Sequence, residues 1–109
     1  MIEVTDPAAP GERLIGAACT LGDADMHLRL HEWSALRDRA KDIRQVPGGW
    51  VLILADAEPI AAAADLAARE SACCAFYTFT LRLDGPTREL QITAGPGQET
   101  AIEVLLGLL

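Results

Sequence analysis

The amino-acid sequence predicts one α+β domain, an α/β sandwich in which a four-stranded mixed sheet packs against two or three helices. The chain has 109 residues, and half of them are hydrophobic, which is enough to build one core. Strand-like and helix-like hydrophobic patterns follow one another in the order β-α-β-α-β-β-α. Residues 13–109 contain no repeat or linker, whereas residues 1–12 hold turn-type dipeptides and are expected to be a flexible N-terminal arm.

The first half of the domain is expected to contain a strand, a long helix and a second strand. Residues 13–21 form a short apolar run with alternating faces, which predicts the first strand. Apolar residues then recur at helical spacing from Met26 to Ile43, which predicts a helix over residues 24–45. Residues 47–49, Pro-Gly-Gly, end this helix, and the run WVLILA at residues 50–55 predicts a strand that is buried on both faces.

The second half is expected to contain a helix, a β-hairpin and a final helix. Pro59 suits a first helical position, and the alanine-rich stretch after it predicts a helix that ends near Cys74 or Ala75. Two alternating runs around residues 84–86, Asp-Gly-Pro, predict the hairpin. Residues 99–109 predict a helix with a wide apolar surface, which implies deep burial or a homodimer through this helix.

Composition and charge exclude several classes of partner. The net charge is −7, with one lysine and eight scattered arginines, so the sequence predicts no nucleic-acid surface. No apolar run reaches the ~18 residues of a membrane span, and no signal peptide is recognisable, so no membrane partner is expected. Three cysteines are an odd number, which does not suit the disulfide framework of a small secreted domain. Reduced thiols and a cytoplasmic location are therefore expected.

The stretch ESACCAFYTF at residues 70–79 is the candidate site. On a helix, Cys73 and Cys74 follow Glu70 by about one turn, so an acid and two sulfurs can converge. Thiolates select Zn(II), Cu(I) and other thiophilic ions such as Hg(II), which predicts a metal site with Cys19, Cys73 and Cys74 as ligands. Glu70 would be a fourth ligand or lie just behind the ligands. Adjacent residues of a regular helix diverge by about 100°, so the helix would have to unwind at Cys74 for both sulfurs to bind.

Two other interpretations of the cysteines stay open at this point. Cysteine is among the most buried residue types, so Cys73 or Cys74 could simply fill the junction between helix and sheet. A thiol oxidoreductase is the weakest alternative, because the C-terminal end of a helix raises a thiol pKa and disfavours the reactive thiolate. Whether Cys19 joins the pair depends on how the strand at residues 13–21 is placed in the sheet.

Further candidates lie on the predicted first helix. His27 and His31 stand four residues apart, a spacing at which two imidazoles can share a metal, but no third ligand is visible nearby and solvent-facing histidines are expected. Trp33 and Trp50 are expected in the core rather than as a stacking platform. The sequence contains no phosphate-binding loop, nucleophile elbow or paired catalytic carboxylates, so no catalytic residues are predicted.

Arginine side chains on the same helix have two candidate roles. Arg29 and Arg37 could pair with Glu32 or Glu70, or they could clamp an anion. Most such charges belong to a solvated helix face and contribute little to stability.

The chain resembles a small bacterial domain with an ExxCCPF-like helix end followed by a hairpin. The residues that carry this resemblance are Glu70, Cys73, Cys74, Phe76 and Phe79, with CTL at residues 19–21 and EW at residues 32–33. That domain is found alone or attached to regulators similar to the MerR group, which sense metals and thiol-reactive compounds. The resemblance implies that Cys19, Cys73, Cys74 and Glu70 belong to one site. It implies no DNA binding here, since this sequence shows no helix-turn-helix, and Ala75 stands where the motif usually has proline.

The leading expectation is therefore a non-catalytic, thiol-based module that binds or senses a soft metal ion or metalloid. The alternative is an interaction or dimerisation domain in which the cysteines only pack, and a thiol oxidoreductase is the third.

Overall fold

Residues 23–108 fold into three helices and one four-stranded sheet, as described by a computed structural model of the chain. The elements in chain order are α1 (Asp23–Arg39), β1 (Asp42–Val46), β2 (Gly49–Ile53), α2 (Ile60–Cys73), β3 (Tyr77–Asp84), β4 (Thr87–Ala94) and α3 (Glu99–Leu105). The predicted α+β class is confirmed. The predicted strand at residues 13–21 and the predicted arm at residues 1–12 lie outside the described residues.

The sheet is built from two hairpins that pair side by side. Its strand order is β1-β2-β4-β3, and all three described pairings are antiparallel, in place of the mixed sheet that the sequence suggested. The hairpin turns set two of these directions, and the pairing of β2 with β4 sets the third. Helix α2 crosses from β2, in the middle of the sheet, to β3 at its edge.

The predicted helix over residues 24–45 is wrong beyond Arg39, because the segment after it is strand β1. The amide of Ala40 bonds to carbonyls of the last turn of α1 and closes the helix there. Val46 pairs with Gly49, which leaves Pro47 and Gly48 as a two-residue turn. Gly48 has φ +79°, a conformation that glycine adopts without strain.

The core lies between the helices and one face of the sheet. Trp33 is fully buried and stacks on Phe79 of β3, with ring centroids 5.5 Å apart. Trp50 is partly buried against the same cluster, so the core placement of both tryptophans is confirmed. The largest fully buried apolar side chains of the helices and strands are Trp33, Leu36, Leu52, Leu90, Ile92, Ile102 and Leu105.

Helix α3 packs deeply against the rest of the domain. Ala101, Ile102 and Leu105 of this helix are at most 1 % exposed. The hydroxyl of Tyr77, at the start of β3, donates to the carbonyl of Ala101 at 3.1 Å. The apolar surface predicted for residues 99–109 is thus largely used inside the chain, and a homodimer through this helix stays a prediction. None of the helices within residues 23–108 is long and apolar enough to cross a bilayer.

An arginine on β4 holds the loop that leads into α2. Arg88 donates to the backbone carbonyls of Ala55, Asp56 and Glu58. The buried carboxylate of Glu58 accepts two bonds from Arg39 at the end of α1, at 2.9 and 3.3 Å. These bonds fix the start of α2 relative to both α1 and the sheet. They therefore also fix the direction of α2 and the position of its C-terminal end.

Candidate functional site

The two adjacent cysteines mark the end of α2. Cys73 is the last helical residue, and Cys74 leaves the helix with an extended backbone, at φ −129° and ψ 91°. Its amide still donates to the carbonyl of Glu70 at 2.8 Å, so the final helical hydrogen bond is kept. The change of backbone direction brings the two sulfurs to 3.9 Å from each other. The helix thus unwinds at Cys74, which is the condition that the sequence set for both sulfurs to bind one ion, although Ala75 replaces the proline of the motif.

Glu70, Cys73 and Cys74 form a compact cluster. Each residue offers one ligand atom, and these atoms lie within 4.8 Å of one another. The sulfur of Cys73 is 3.8 Å from a carboxylate oxygen of Glu70 and 3.6 Å from its carbonyl oxygen. Glu70 and Cys74 are fully buried, whereas Cys73 is partly exposed. Within residues 23–108 this is the one group of three or more histidine, cysteine or acidic side chains close enough to hold an ion.

Helix α1 supplies the polar partners of the cluster. The indole nitrogen of Trp33 donates to Oε1 of Glu70 at 2.7 Å, and Nη1 of Arg29 approaches the same oxygen at 3.4 Å. Nη1 of Arg29 also donates to the sulfur of Cys73 at 3.4 Å. Only 11 % of the Arg29 side chain is exposed, so its charge acts where little water screens it. Of the two pairings considered for Arg29 from the sequence, the structure shows both, with Glu70 at 3.4 Å and with Glu32 at 3.8 Å.

The charge on Arg29 alters the electrostatic expectation for the thiols. The last carbonyls of α2 place partial negative charge near both sulfurs, which opposes ionisation. Arg29 supplies a full positive charge at hydrogen-bond distance from Cys73, which favours the thiolate. Two thiolates and the Glu70 carboxylate would carry three negative charges. Arg29 offsets one of these, and a divalent ion would offset the other two, so that these described groups together would be neutral.

The sulfur separation fits one bridging atom. With metal–sulfur bonds of ~2.3 Å, two sulfurs 3.9 Å apart subtend an angle of about 116° at a shared ion. This angle lies between the tetrahedral and trigonal values. A linear two-sulfur complex would need a separation of ~4.6 Å. The arrangement therefore suits an ion with three or four ligands.

None of the other side chains considered from the sequence is seen to join the cluster within the described residues. Cys19 lies outside the described residues, so its place in the site stays a prediction. His27 and His31 are exposed on α1, as expected, and do not join a described cluster of ligands. Arg37 pairs with its neighbour Asp38 at 2.8 Å rather than with either glutamate considered from the sequence.

The role of Trp33 at the site was not predicted from the sequence. Trp33 was expected in the core, but its indole N–H is also the closest described donor to Glu70. Two signals were available in the sequence. A buried indole N–H needs an acceptor, and Arg29 and Trp33 are four residues apart, which puts both on one face of a helix.

A second concave surface lies between α1 and α2. This groove has a volume of about 320 Å³. Its charged side chains are already paired with one another, since Arg69 bonds to Glu32 and Asp65, and Arg39 bonds to Glu58. The hydrogen bond from Arg69 lowers the pKa of Glu32. The charged side chains of the groove are thus all engaged in ion pairs, and the thiol cluster is the better candidate site.

Comparison of the chain with known proteins adds no assignment to this geometry. No family model, no curated protein and no solved structure matches the chain.

Proposed function

We propose that this protein is a non-catalytic, thiol-based module that binds or senses a soft metal ion or metalloid. Cys73, Cys74 and Glu70 would be its ligands, and Cys19 would complete the set. The observation that carries the proposal is the unwound end of α2, where three potential ligand atoms lie within 4.8 Å of one another.

The chemistry of the donors supports a thiophilic ion. Two sulfurs and one carboxylate oxygen suit Zn(II), and a third sulfur from Cys19 would suit three-coordinate Hg(II) or Cu(I). The N–H groups of Arg29 and Trp33 would hydrogen-bond to ligand atoms and orient them, as polar groups around protein metal sites generally do. The resemblance to the ExxCCPF-like domain favours the same residues, and a reducing cytoplasm would keep the thiols available.

Titration of the reduced protein with Zn(II), Cu(I) and Hg(II) tests the proposal. We expect the double variant Cys73→Ser/Cys74→Ser to bind at least one of these ions about 100-fold more weakly than the wild type, because hydroxyls are poor ligands for soft ions. Competition with a chromophoric chelator measures the affinity. The matched control is His27→Ala/His31→Ala, which removes two exposed ligand-type side chains from α1 and should bind as the wild type does.

Two further variants test the separate contributions of the carboxylate and the third sulfur to ion binding. Glu70→Gln should weaken Zn(II) more than Hg(II), because only the harder ion gains from a carboxylate oxygen. Cys19→Ser should weaken every ion that needs a third sulfur. Equal affinities for the wild type and the double cysteine variant with all three ions would refute the proposed function.

A further inference from the structure

We infer that the Cys73/Cys74 pair captures trivalent metalloids that carry one organic substituent, the class R–As(OH)₂, as a cyclic dithiolate. This inference rests on the proposed function and narrows it to a ligand class. The described part of the site provides two sulfurs side by side, which matches the two exchangeable positions of such a compound.

The backbone at the helix end makes the pair bidentate. If α2 continued through Cys74, the two side chains would point about 100° apart and one atom would not bridge them. Because Cys74 has an extended backbone, its sulfur turns to within 3.9 Å of the sulfur of Cys73. That separation is shorter than the ~4.6 Å spanned by two bonds of ~2.3 Å, so one centre can bond to both. Trivalent arsenic carries a lone pair and is pyramidal, so the two sulfurs would move closer together than 3.9 Å when it binds.

The difference in exposure between Cys73 and Cys74 predicts which of the two As–S bonds forms first. Cys73 is partly exposed and Cys74 is fully buried, so the compound would meet Cys73 first. The second bond is then intramolecular, and its effective concentration is fixed by the 3.9 Å separation rather than by diffusion. Such linkage raises affinity by about 10²- to 10⁴-fold over a single attachment.

The reaction balances without an oxidant or a reductant. Each thiol forms one As–S bond as one As–O bond breaks, and the released hydroxide leaves as water with the proton of that thiol. Two thiols consume two hydroxyl groups and release two waters, while arsenic stays trivalent and keeps its organic substituent. The product is neutral, so the pair of Glu70 with Arg29 is left intact and the carboxylate is not consumed as a ligand.

Phenylarsine oxide, which hydrates to the required dihydroxide, is the probe. We expect the reduced wild-type protein to bind one equivalent and to lose two titratable thiols. The adduct should resist excess monothiol and release its arsenic to 2,3-dimercaptopropanol, the behaviour of a two-sulfur chelate. Alkylation followed by peptide mass spectrometry of the untreated and treated wild type should show protection of Cys73 and Cys74, a readout that needs no variant to fold.

Variants separate the two-sulfur chelate from the metal site. Cys74→Ser should lower affinity at least 100-fold, whereas Cys19→Ser and Glu70→Gln should stay within about twofold of the wild type. Loss of only one thiol per arsenic, or equal affinity in Cys74→Ser, would overturn the inference. Because the proposed metal site is judged from Zn(II), Cu(I) and Hg(II), phenylarsine oxide can fail while ion binding persists, and the two failures are distinguishable.

Discussion

Glu70 is a fully buried carboxylate whose described N–H donors, Trp33 and Arg29, come from another helix. A buried acceptor that loses its donor costs about 1–3 kcal/mol. We therefore expect Trp33→Phe, which keeps an aromatic ring against Phe79 but removes the N–H, to lower the free energy of unfolding by about that amount. Urea denaturation measures the change.

A double-mutant cycle with Glu70→Leu isolates the hydrogen bond from the loss of ring volume. Contacting residues typically show coupling energies of about 0.5–3 kcal/mol, so Trp33→Phe should cost less when Glu70 is already replaced. Trp50→Phe, at a partly buried tryptophan on β2, serves as the control and should show no coupling to Glu70. A Trp33–Glu70 coupling indistinguishable from zero would contradict the role assigned to the indole.

The ion pair of Glu32 with Arg69 makes a small, pH-dependent contribution. Its hydrogen bond lowers the pKa of Glu32 below the ordinary value of 4.5. A carboxyl with a depressed folded-state pKa stabilises the fold above its unfolded pKa and loses that contribution as pH falls through the folded-state pKa. We expect Glu32→Gln to be less stable than the wild type by under ~1 kcal/mol at pH 6, since both side chains are 41 % exposed.

The stability difference between Glu32→Gln and the wild type should shrink as pH falls from 6 to 3, and 0.5 M NaCl should reduce it at pH 6. Unfolding free energies at each pH provide the measurement. A difference that grows on acidification would show that the carboxylate is not stabilised by Arg69.

At the scale of elements, the segment from Asp42 to Val46 shows why a helix was predicted where a strand forms. Ile43 fits the helical spacing that begins at Met26, and a five-residue strand is too short for alternation to outweigh it. Pairing with β2 makes this segment a strand. All five residues of β1 pair with residues of β2, and the Pro47-Gly48 turn sets the register. The turn residues could be recognised in the sequence, but the pairing of residues 42–46 with β2 could not be predicted from it.

Gly49 is a position of β2 at which the backbone of β4 leaves no room for a side chain. A side-chain carbon at this residue would lie 1.9 Å from the carbonyl oxygen of Ile92, far inside contact distance and against backbone that cannot easily move. We expect Gly49→Ala to cost about 1–3 kcal/mol or more of unfolding free energy, as overpacking does. Thermal and urea denaturation measure it.

Gly95→Ala is the matched control for this substitution. Its added carbon would meet only the end of the flexible Gln98 side chain, at 3.3 Å, so we expect a much smaller change. Equal effects at Gly49 and Gly95 would contradict the role assigned to the approach of β4.

Across the whole molecule, the features set by local sequence could be predicted, whereas the contacts between distant segments could not. The hairpin of β3 and β4, helix α2 and its end near Cys74 follow from alternation, helix formers and turn residues. The cluster of Glu70 with Cys73 follows from one helical turn. The contribution of α1 does not, because Arg29 and Trp33 reach Glu70 only after α1 and α2 pack together, across 41 and 37 residues of sequence.

The apolar C-terminal segment could pack only in the core of its own chain or also against a second copy of the chain, and two substitutions distinguish these cases. Ile102 is fully buried on α3, whereas its neighbour Val104 is only partly buried. Ile102→Ala should cost about 2–5 kcal/mol of unfolding free energy, and Val104→Ala should cost clearly less if no partner covers it. Unfolding at 1 and 100 µM protein, with sedimentation velocity, separates the cases. If Val104→Ala costs as much as Ile102→Ala and stability rises with concentration, a partner helix covers that face, because only association makes stability depend on concentration.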